Sequence, residues 1–337
     1  MNKPLVSHSV MVNIAAFIVI IAGLKAATQL LVPFLLAVFI AVLCAPMMMW
    51  LKSKKVPSIL SLLLVAVLFF LITMTLGTVI GTSLSAFYQD LPEYEQKLQQ
   101  QGAIAVEMLN GFGIVVDETV LSTYIDPSAA MKMVATVFSG LGGVLTNAFL
   151  ILFTVVFILL EASDFPEKLR RALGNKTLAL DYYQNFSDSV QRYLLIKTLV
   201  SIGTGIVVGS TLAWMGVDYA ILWAMIAFLL NFIPNIGSII AAVPPMLIAL
   251  IQLGPMSAML VAGLYVATNV LFGNVIEPRY MGRSLGLSTL VVFVSLVFWG
   301  WIFGPVGMLL SIPLTMVVKI ALENSEKNRW LAVLLGH

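Results

Sequence analysis

Long apolar runs separated by short polar interruptions cover most of the chain. Residues 9–50 are apolar apart from Asn13, Lys25, Thr28 and Gln29, and at about 42 residues they are twice the ~20 that one helical crossing of a bilayer needs. They predict a helical hairpin with its turn near Lys25–Val32, and Pro33 suits the first turn of the second helix, where its missing N–H is harmless. Runs at 59–81, 143–160, 198–215 and 256–276 each match a single crossing. Two further runs, 219–252 and 287–320, have about 34 residues each, too many for one untilted helix and too few for two crossings and a turn. Both are interrupted. The first holds Asn231-Phe-Ile-Pro-Asn-Ile-Gly-Ser238 followed by Pro244 and Pro245, and the second holds Gly304-Pro-Val-Gly307 followed by Pro313. The pattern predicts an all-α, polytopic helical membrane protein of about eight hydrophobic segments, two of them broken or re-entrant.

Composition agrees, since 60% of residues are hydrophobic, 10% are charged and the mean hydropathy is +1.03. A soluble chain carries roughly a quarter charged residues. The net charge of +2, from 18 basic and 16 acidic residues, is too balanced for a nucleic-acid footprint, so only its distribution informs. Lys52, Lys54 and Lys55 cluster before Pro57, and residues 161–197 hold six basic side chains; both loops are expected in the cytoplasm, together with the N- and C-termini. Residues 84–140 differ in composition, with seven acids (Asp90, Glu93, Glu95, Glu107, Asp117, Glu118, Asp126) against Lys97 and Lys132.

That segment reads as an extracytoplasmic helical insert. Leu84, Phe87, Tyr88, Leu91, Tyr94 and Leu98 recur at helical spacing, and Asp126-Pro127 reads as an N-cap followed by Pro at the first helical position. Short amphipathic helices around a Gly111-Phe-Gly113 turn are expected there. The domain plan is therefore 1–83 for the first three transmembrane helices, 84–140 for the insert, and 141–337 for a transmembrane core with an amphipathic cytoplasmic stretch, 161–197. In that stretch Tyr183, Phe186, Val190, Tyr193 and Leu194 share one face.

Breaks within a membrane segment expose backbone groups that lipid does not satisfy. Where a second half-helix begins, at Gly237 and Gly307, bare N–H groups give a site of partial positive charge suited to oxygens. By the charge asymmetry the first hairpin enters from outside and the second from inside, an arrangement of inverted segments around a midplane substrate site. Candidate substrate-path residues are Asn231, Pro234, Asn235, Gly237, Ser238, Asn269, Asn274, Gly304, Pro305 and Gly307. The Asn side chains donate and accept hydrogen bonds and suit a small, neutral, oxygen-rich solute; the other reading of each is an interhelical hydrogen bond. Glu277, Arg279 and Arg283 are candidates for gating or coupling, or else are solvated charges at the membrane surface.

Catalytic chemistry finds little support. His8 and His337 sit at the two ends, so no Ser–His pair or His-based metal site falls on the spans, and no span holds two Asp residues. Gly174-Asn-Lys-Thr177 lacks the phosphate-loop spacing. The single Cys44, in an apolar run, reads as a small buried side chain. No cofactor, metal or enzyme activity is expected.

Ile233-Pro-Asn-Ile-Gly-Ser238, Gly273-Asn-Val-Ile-Glu-Pro-Arg-Tyr-Met-Gly-Arg283, Leu285-Gly-Leu-Ser-Thr-Leu290 and Phe298-Trp-Gly-Trp-Ile-Phe-Gly-Pro-Val-Gly307 resemble the signatures of the autoinducer-2 exporter family of bacterial inner-membrane permeases. The likeness extends more loosely to Tyr124-Ile-Asp-Pro127 and Val32-Pro-Phe34, and is strongest to the quorum-signal exporter branch. It implies a secondary transporter exporting autoinducer-2, a small furanosyl polyol, across the inner membrane, with self-association as a homopentamer. Two alternatives stand beside it: a sodium(lithium)/proton antiporter of the same family, and a membrane scaffold acting through the external insert.

Overall fold

The computed structural model describes residues 5–111, 147–162, 168, 171, 177–234, 236–281, 287–323 and 329–336. It is 92% helical. The helices are α1 (Leu5–Ala26), α2 (Thr28–Ser53), α3 (Ser58–Gly111), α4 (Ala148–Ala162), α5 (Thr177–Met215), α6 (Ala220–Leu230) and α7 (Ile236–Leu253). Then come α8 (Pro255–Thr268), a π-helix (Asn269–Ile276), α9 (Glu277–Met281), α10 (Thr289–Phe303), α11 (Pro305–Leu309), α12 (Ser311–Glu323) and α13 (Arg329–Leu335). Among the described residues, five helical stretches are long and apolar enough to cross a membrane: Thr28–Ser53, Ser58–Tyr94, Asp188–Met215, Ile236–Leu253 and Pro255–Met281.

Three local expectations are corrected. The α1–α2 turn is a single residue, Ala27, so Pro33 lies inside α2 and not in its first turn. The short helices expected from residue 84 onward are absent up to Gly111: α3 runs 54 residues without interruption, with Pro92 inside it. The run 256–276 is not one α-helix but widens into π-winding from Asn269. Asp126-Pro127 and the segment beyond Gly111 up to residue 146 lie outside the described residues.

The chain forms two compact units. The first comprises Met1–Val67, Asn147–Leu194 and Arg283–His337, and the second Leu68–Thr146 and Leu195–Gly282. In the first unit α2 packs on α4, and α10 packs on α1, α2, α11 and α12. The second break sits here. Gly304, at φ 67° and ψ −149°, occupies a backbone region that only glycine visits readily, and it turns the chain from α10 into α11 at Pro305. Trp299 Nε1 donates to Thr315 Oγ1 at 3.0 Å, tying α10 to α12 across the break. The Lys25 ammonium stands 3.8 Å from the Trp301 ring centroid, and the Thr28 hydroxyl donates to the Ile302 carbonyl at 3.1 Å.

In the second unit α7 packs on both α6 and α8. Its core holds Val208, Leu212, Leu222, Trp223, Ile226 and Ile248, together with Phe87 and Tyr94 of α3. Of the apolar series in α3, Leu84, Phe87, Leu91 and Tyr94 meet this core, and Tyr88 is exposed. Small residues bring α5 and α6 together: a Cβ on Gly205 would lie 2.9 Å from the Ala224 carbonyl oxygen, and one on Gly209 would lie 2.5 Å from Ala224 Cβ. Gly205 and Gly209 are four apart, on one helix face, the spacing that lets two membrane helices approach closely.

Candidate functional site: a polar cavity beside the first helix break

Six polar side chains converge in the second unit: Thr204 from α5, Asn231 and Ser238 from either side of the first break, and Tyr265, Thr268 and Asn269 from α8 and the start of the π-helix. Ala227 and Ala241 complete the walls. The space open to the centre of a water molecule is ≈ 10 Å³, enough for about one water. The hydroxyls of Thr204 and Tyr265 are buried and make no hydrogen bond to the protein. An unmet buried hydroxyl costs about 1–3 kcal/mol, so two of them on residues that line one cavity single this place out from the rest of the unit.

The break itself folds tightly. After α6 ends at Leu230, Phe232 N–H donates to Leu229 O (3.3 Å) and Ile233 N–H to Leu230 O (2.9 Å). Ile236 N–H then donates to Pro234 O (2.6 Å) and Gly237 N–H to Ile233 O (3.3 Å). The N–H groups at Ile236 and Gly237 are therefore not bare, contrary to the half-helix expectation; the turn consumes them. Side chains replace them as the polar lining. Asn231 is 8% exposed, and its Nδ2 donates to Ser201 Oγ on α5 at 2.9 Å, which holds the carboxamide at the cavity wall.

Of the candidate path residues, Asn231, Ser238 and Asn269 lie around this cavity. Gly237 is buried against the Leu230 carbonyl, and Pro234 is half-buried in the turn, neither lining the cavity. Asn274 and Arg279 lie exposed. Asn235 and Arg283 lie outside the described residues. Gly304, Pro305 and Gly307 belong to the first unit, where Gly307 is buried against the Trp299 carbonyl.

Glu277 is not a solvated surface charge. Both of its carboxylate oxygens accept from Lys197 Nζ, at 2.9 and 2.8 Å, and the two side chains are 17% and 6% exposed. Lys197, Ser201, Thr204, Tyr265 and Thr268 are the residues sequence reasoning missed. A signal was present: Lys197, Ser201 and Thr204, four and three apart, make a polar stripe on one face of an otherwise apolar helix.

Apolar helices long enough to cross a bilayer, with a small neutral polar cavity beside the first break, define a multi-pass helical membrane protein. The chain matches the model of the AI-2E family transporters over residues 14–327, and it belongs to that family. It is 39% identical over 339 residues to the "AI-2 transport protein TqsA" of Escherichia coli (strain K12), covering 100% of this chain and 98% of that protein. It is 41% identical over 343 residues to a "Putative transport protein" of Haemophilus influenzae, covering 100% and 98%. Identity to the "Putative transport protein YhhT" of E. coli (strain K12) is 37% over 327 residues, covering 97% and 94%.

Proposed function

We propose that this chain is a secondary transporter that exports AI-2, a small furanosyl polyol, across the bacterial inner membrane, with its basic loops in the cytoplasm. The observation that carries the reading is the pair of buried, unmatched hydroxyls, Thr204 and Tyr265, in a cavity whose other polar groups are hydroxyl and carboxamide side chains. Such a lining exchanges hydrogen bonds with a neutral polyol and offers no full charge to a permanently ionised solute. The AI-2 transport name of the E. coli relative agrees with this chemistry. Room for about one water means that the walls separate before a furanose enters, as alternating access requires. Self-association as a homopentamer belongs to the same reading.

The test is flux of labelled AI-2 into proteoliposomes of purified protein, with sodium flux measured in parallel and with and without a pH gradient. Protein-dependent AI-2 flux is expected, and its absence with sodium-dependent proton movement present would transfer the assignment to antiport. Glu277 favours keeping that second arm, because it lies within the apolar stretch Pro255–Met281 and is buried against Lys197.

A further inference from the structure

A buried polar line joins the cavity to one end of the second unit. On α5, Lys197, Ser201 and Thr204 are all buried. Lys197 pairs with Glu277 at 2.8 Å, Ser201 accepts from Asn231 at 2.9 Å, and Thr204 lines the cavity with Tyr265 and Asn269. Seven residues separate Lys197 from Thr204, roughly 10 Å along the helix axis. Between them Gly203 leaves room for Phe272 of the π-helix: a Cβ on Gly203 would lie 2.6 Å from the Phe272 ring. That contact draws the π-helix onto α5 and brings Glu277, the next residue after it, within reach of Lys197.

The two ends of the unit are closed by different chemistry. At the end carrying Asp218, Phe87 is fully buried and stands 6.0–6.5 Å, ring centroid to centroid, from Tyr94, Tyr219 and Trp223. There Asp218 accepts from Tyr94 at 2.9 Å and from Gln252, and its carbonyl accepts from Trp223 at 2.8 Å. Opening that end requires several packed rings to move together. At the other end the polar line terminates, among the described residues, in the Lys197–Glu277 ion pair, with Arg279 exposed nearby in sequence. The attraction within a buried pair is largely offset by the desolvation of its charges, so water entering between them restores what separation removes.

We propose that Lys197 and Glu277 form the gate at this cytoplasmic mouth: paired they seal the polar line, and parted they admit solute to Asn231 and Thr204. The proposal rests on the cavity being the solute site. The π-helix supplies a means of opening. Its winding carries more residues per turn than an α-helix, and loss of one such residue to α-winding rotates the downstream residues by roughly 100°, which takes Glu277 off Lys197.

The experiment is solvent accessibility of the cavity, read without any transported solute. In a Cys44→Ser background, Thr204→Cys is labelled with a membrane-impermeant methanethiosulfonate applied to either face of oriented vesicles. Slow labelling from both faces is expected for this parent. Glu277→Gln should accelerate labelling about tenfold or more from the cytoplasmic face alone, and the charge swap Lys197→Glu with Glu277→Lys should return it to the parent rate. Lys197→Arg, which keeps the charge, should stay slow. Unchanged labelling in Glu277→Gln, an equal rise at both faces, or failure of the swap to restore protection each overturns the gate. Gated accessibility without AI-2 flux would sink only the substrate assignment, whereas AI-2 flux without gated accessibility would sink only the gate.

Discussion

Gly237 sits directly against the backbone carbonyl of Leu230, seven residues earlier: a Cβ placed on it would lie 1.8 Å from Leu230 O and 3.0 Å from Ile233 Cβ. The second break repeats the relationship, since a Cβ on Gly307 would lie 1.9 Å from Trp299 O and 2.9 Å from Phe303 Cβ. In each case the end of one helix packs onto the bare Cα at the start of the next. The obstructing atom is backbone, so no side chain can swing aside.

Gly237→Val is therefore expected to reduce flux by about tenfold or more and to lower the yield of monodisperse protein, because overpacking costs of order 1–3 kcal/mol even where side chains can adjust. Cys44→Ser, at a half-buried thiol, should retain parental flux. Proteoliposome flux and size-exclusion profiles of the two variants check this, and equal activity counts against a functional break.

Removing the unmatched hydroxyls separates stability from transport. Tyr265→Phe and Thr204→Val delete groups that have no protein partner, so each variant should melt at the same or a higher temperature, with up to about 1–3 kcal/mol gained. Each should nevertheless raise the half-saturating AI-2 concentration several-fold. Melting in detergent combined with concentration-dependent flux reads both; a drop in stability with flux intact would exclude the binding role.

The Asn231–Ser201 hydrogen bond, at 2.9 Å and buried, should show coupling. Ser201→Ala leaves the Asn231 amide N–H without its partner and is expected to cost about 1–3 kcal/mol. Ser201→Ala with Asn231→Leu should cost less than the sum of the two single changes, as measured by a double-mutant cycle on thermal unfolding.

Lys197→Met strands the Glu277 carboxylate in a buried setting and is expected to destabilise by about 3–5 kcal/mol. Pairing it with Glu277→Leu should recover most of that loss, since matched apolar groups of similar volume replace buried ion pairs at little cost. Unfolding of the two variants, compared side by side, decides.

Burial and the hydrogen bond to Asp90 push the Tyr219 phenol up to about 12 from its ordinary value of 10.0. The folded state thus favours the protonated phenol. Its contribution is present in full below pH 10.0 and is lost as pH rises towards about 12, so Tyr219→Phe should flatten the alkaline loss of stability in that window. Melting temperature followed from pH 9 to about 12 provides the measurement.

The spans and both breaks were legible because length and polarity of apolar runs are governed by the bilayer itself. Continuity of α3 was not. The change of composition near residue 82 reads as a boundary, yet Glu93, Gln96, Lys97, Gln99 and Gln100 are good helix formers, and the solvent-facing half simply extends the same winding. The cavity was half legible. Asn231 and Ser238 flank a recognisable break and Asn269 is a carboxamide in an otherwise apolar run, whereas a hydroxyl in an apolar helix ordinarily turns back to the carbonyl a turn earlier. Thr73, Thr75, Thr78, Thr154 and Ser210 do so, and Thr204 does not. Nothing local distinguishes these residues; the cavity that Thr204 shares with residues of α7 and α8 does. The Lys197–Glu277 pair joins positions 80 apart in sequence, a proximity that only the folded chain reveals.

Helix α3 is 54 residues long, roughly 80 Å end to end, against a hydrocarbon core of about 30 Å. Much of it must therefore stand clear of the lipid, joined to the buried part by continuous helical winding in which Pro92 omits one backbone hydrogen bond. A fiducial gripping the far end, an antibody fragment raised against the region of Asn110 for example, would be coupled to Phe87 and Tyr94 as the head of a lever is to its pivot. For a small membrane protein whose mass is mostly hidden in detergent, that rod is a natural handle for imaging and for mechanical or spectroscopic readout of the transport cycle.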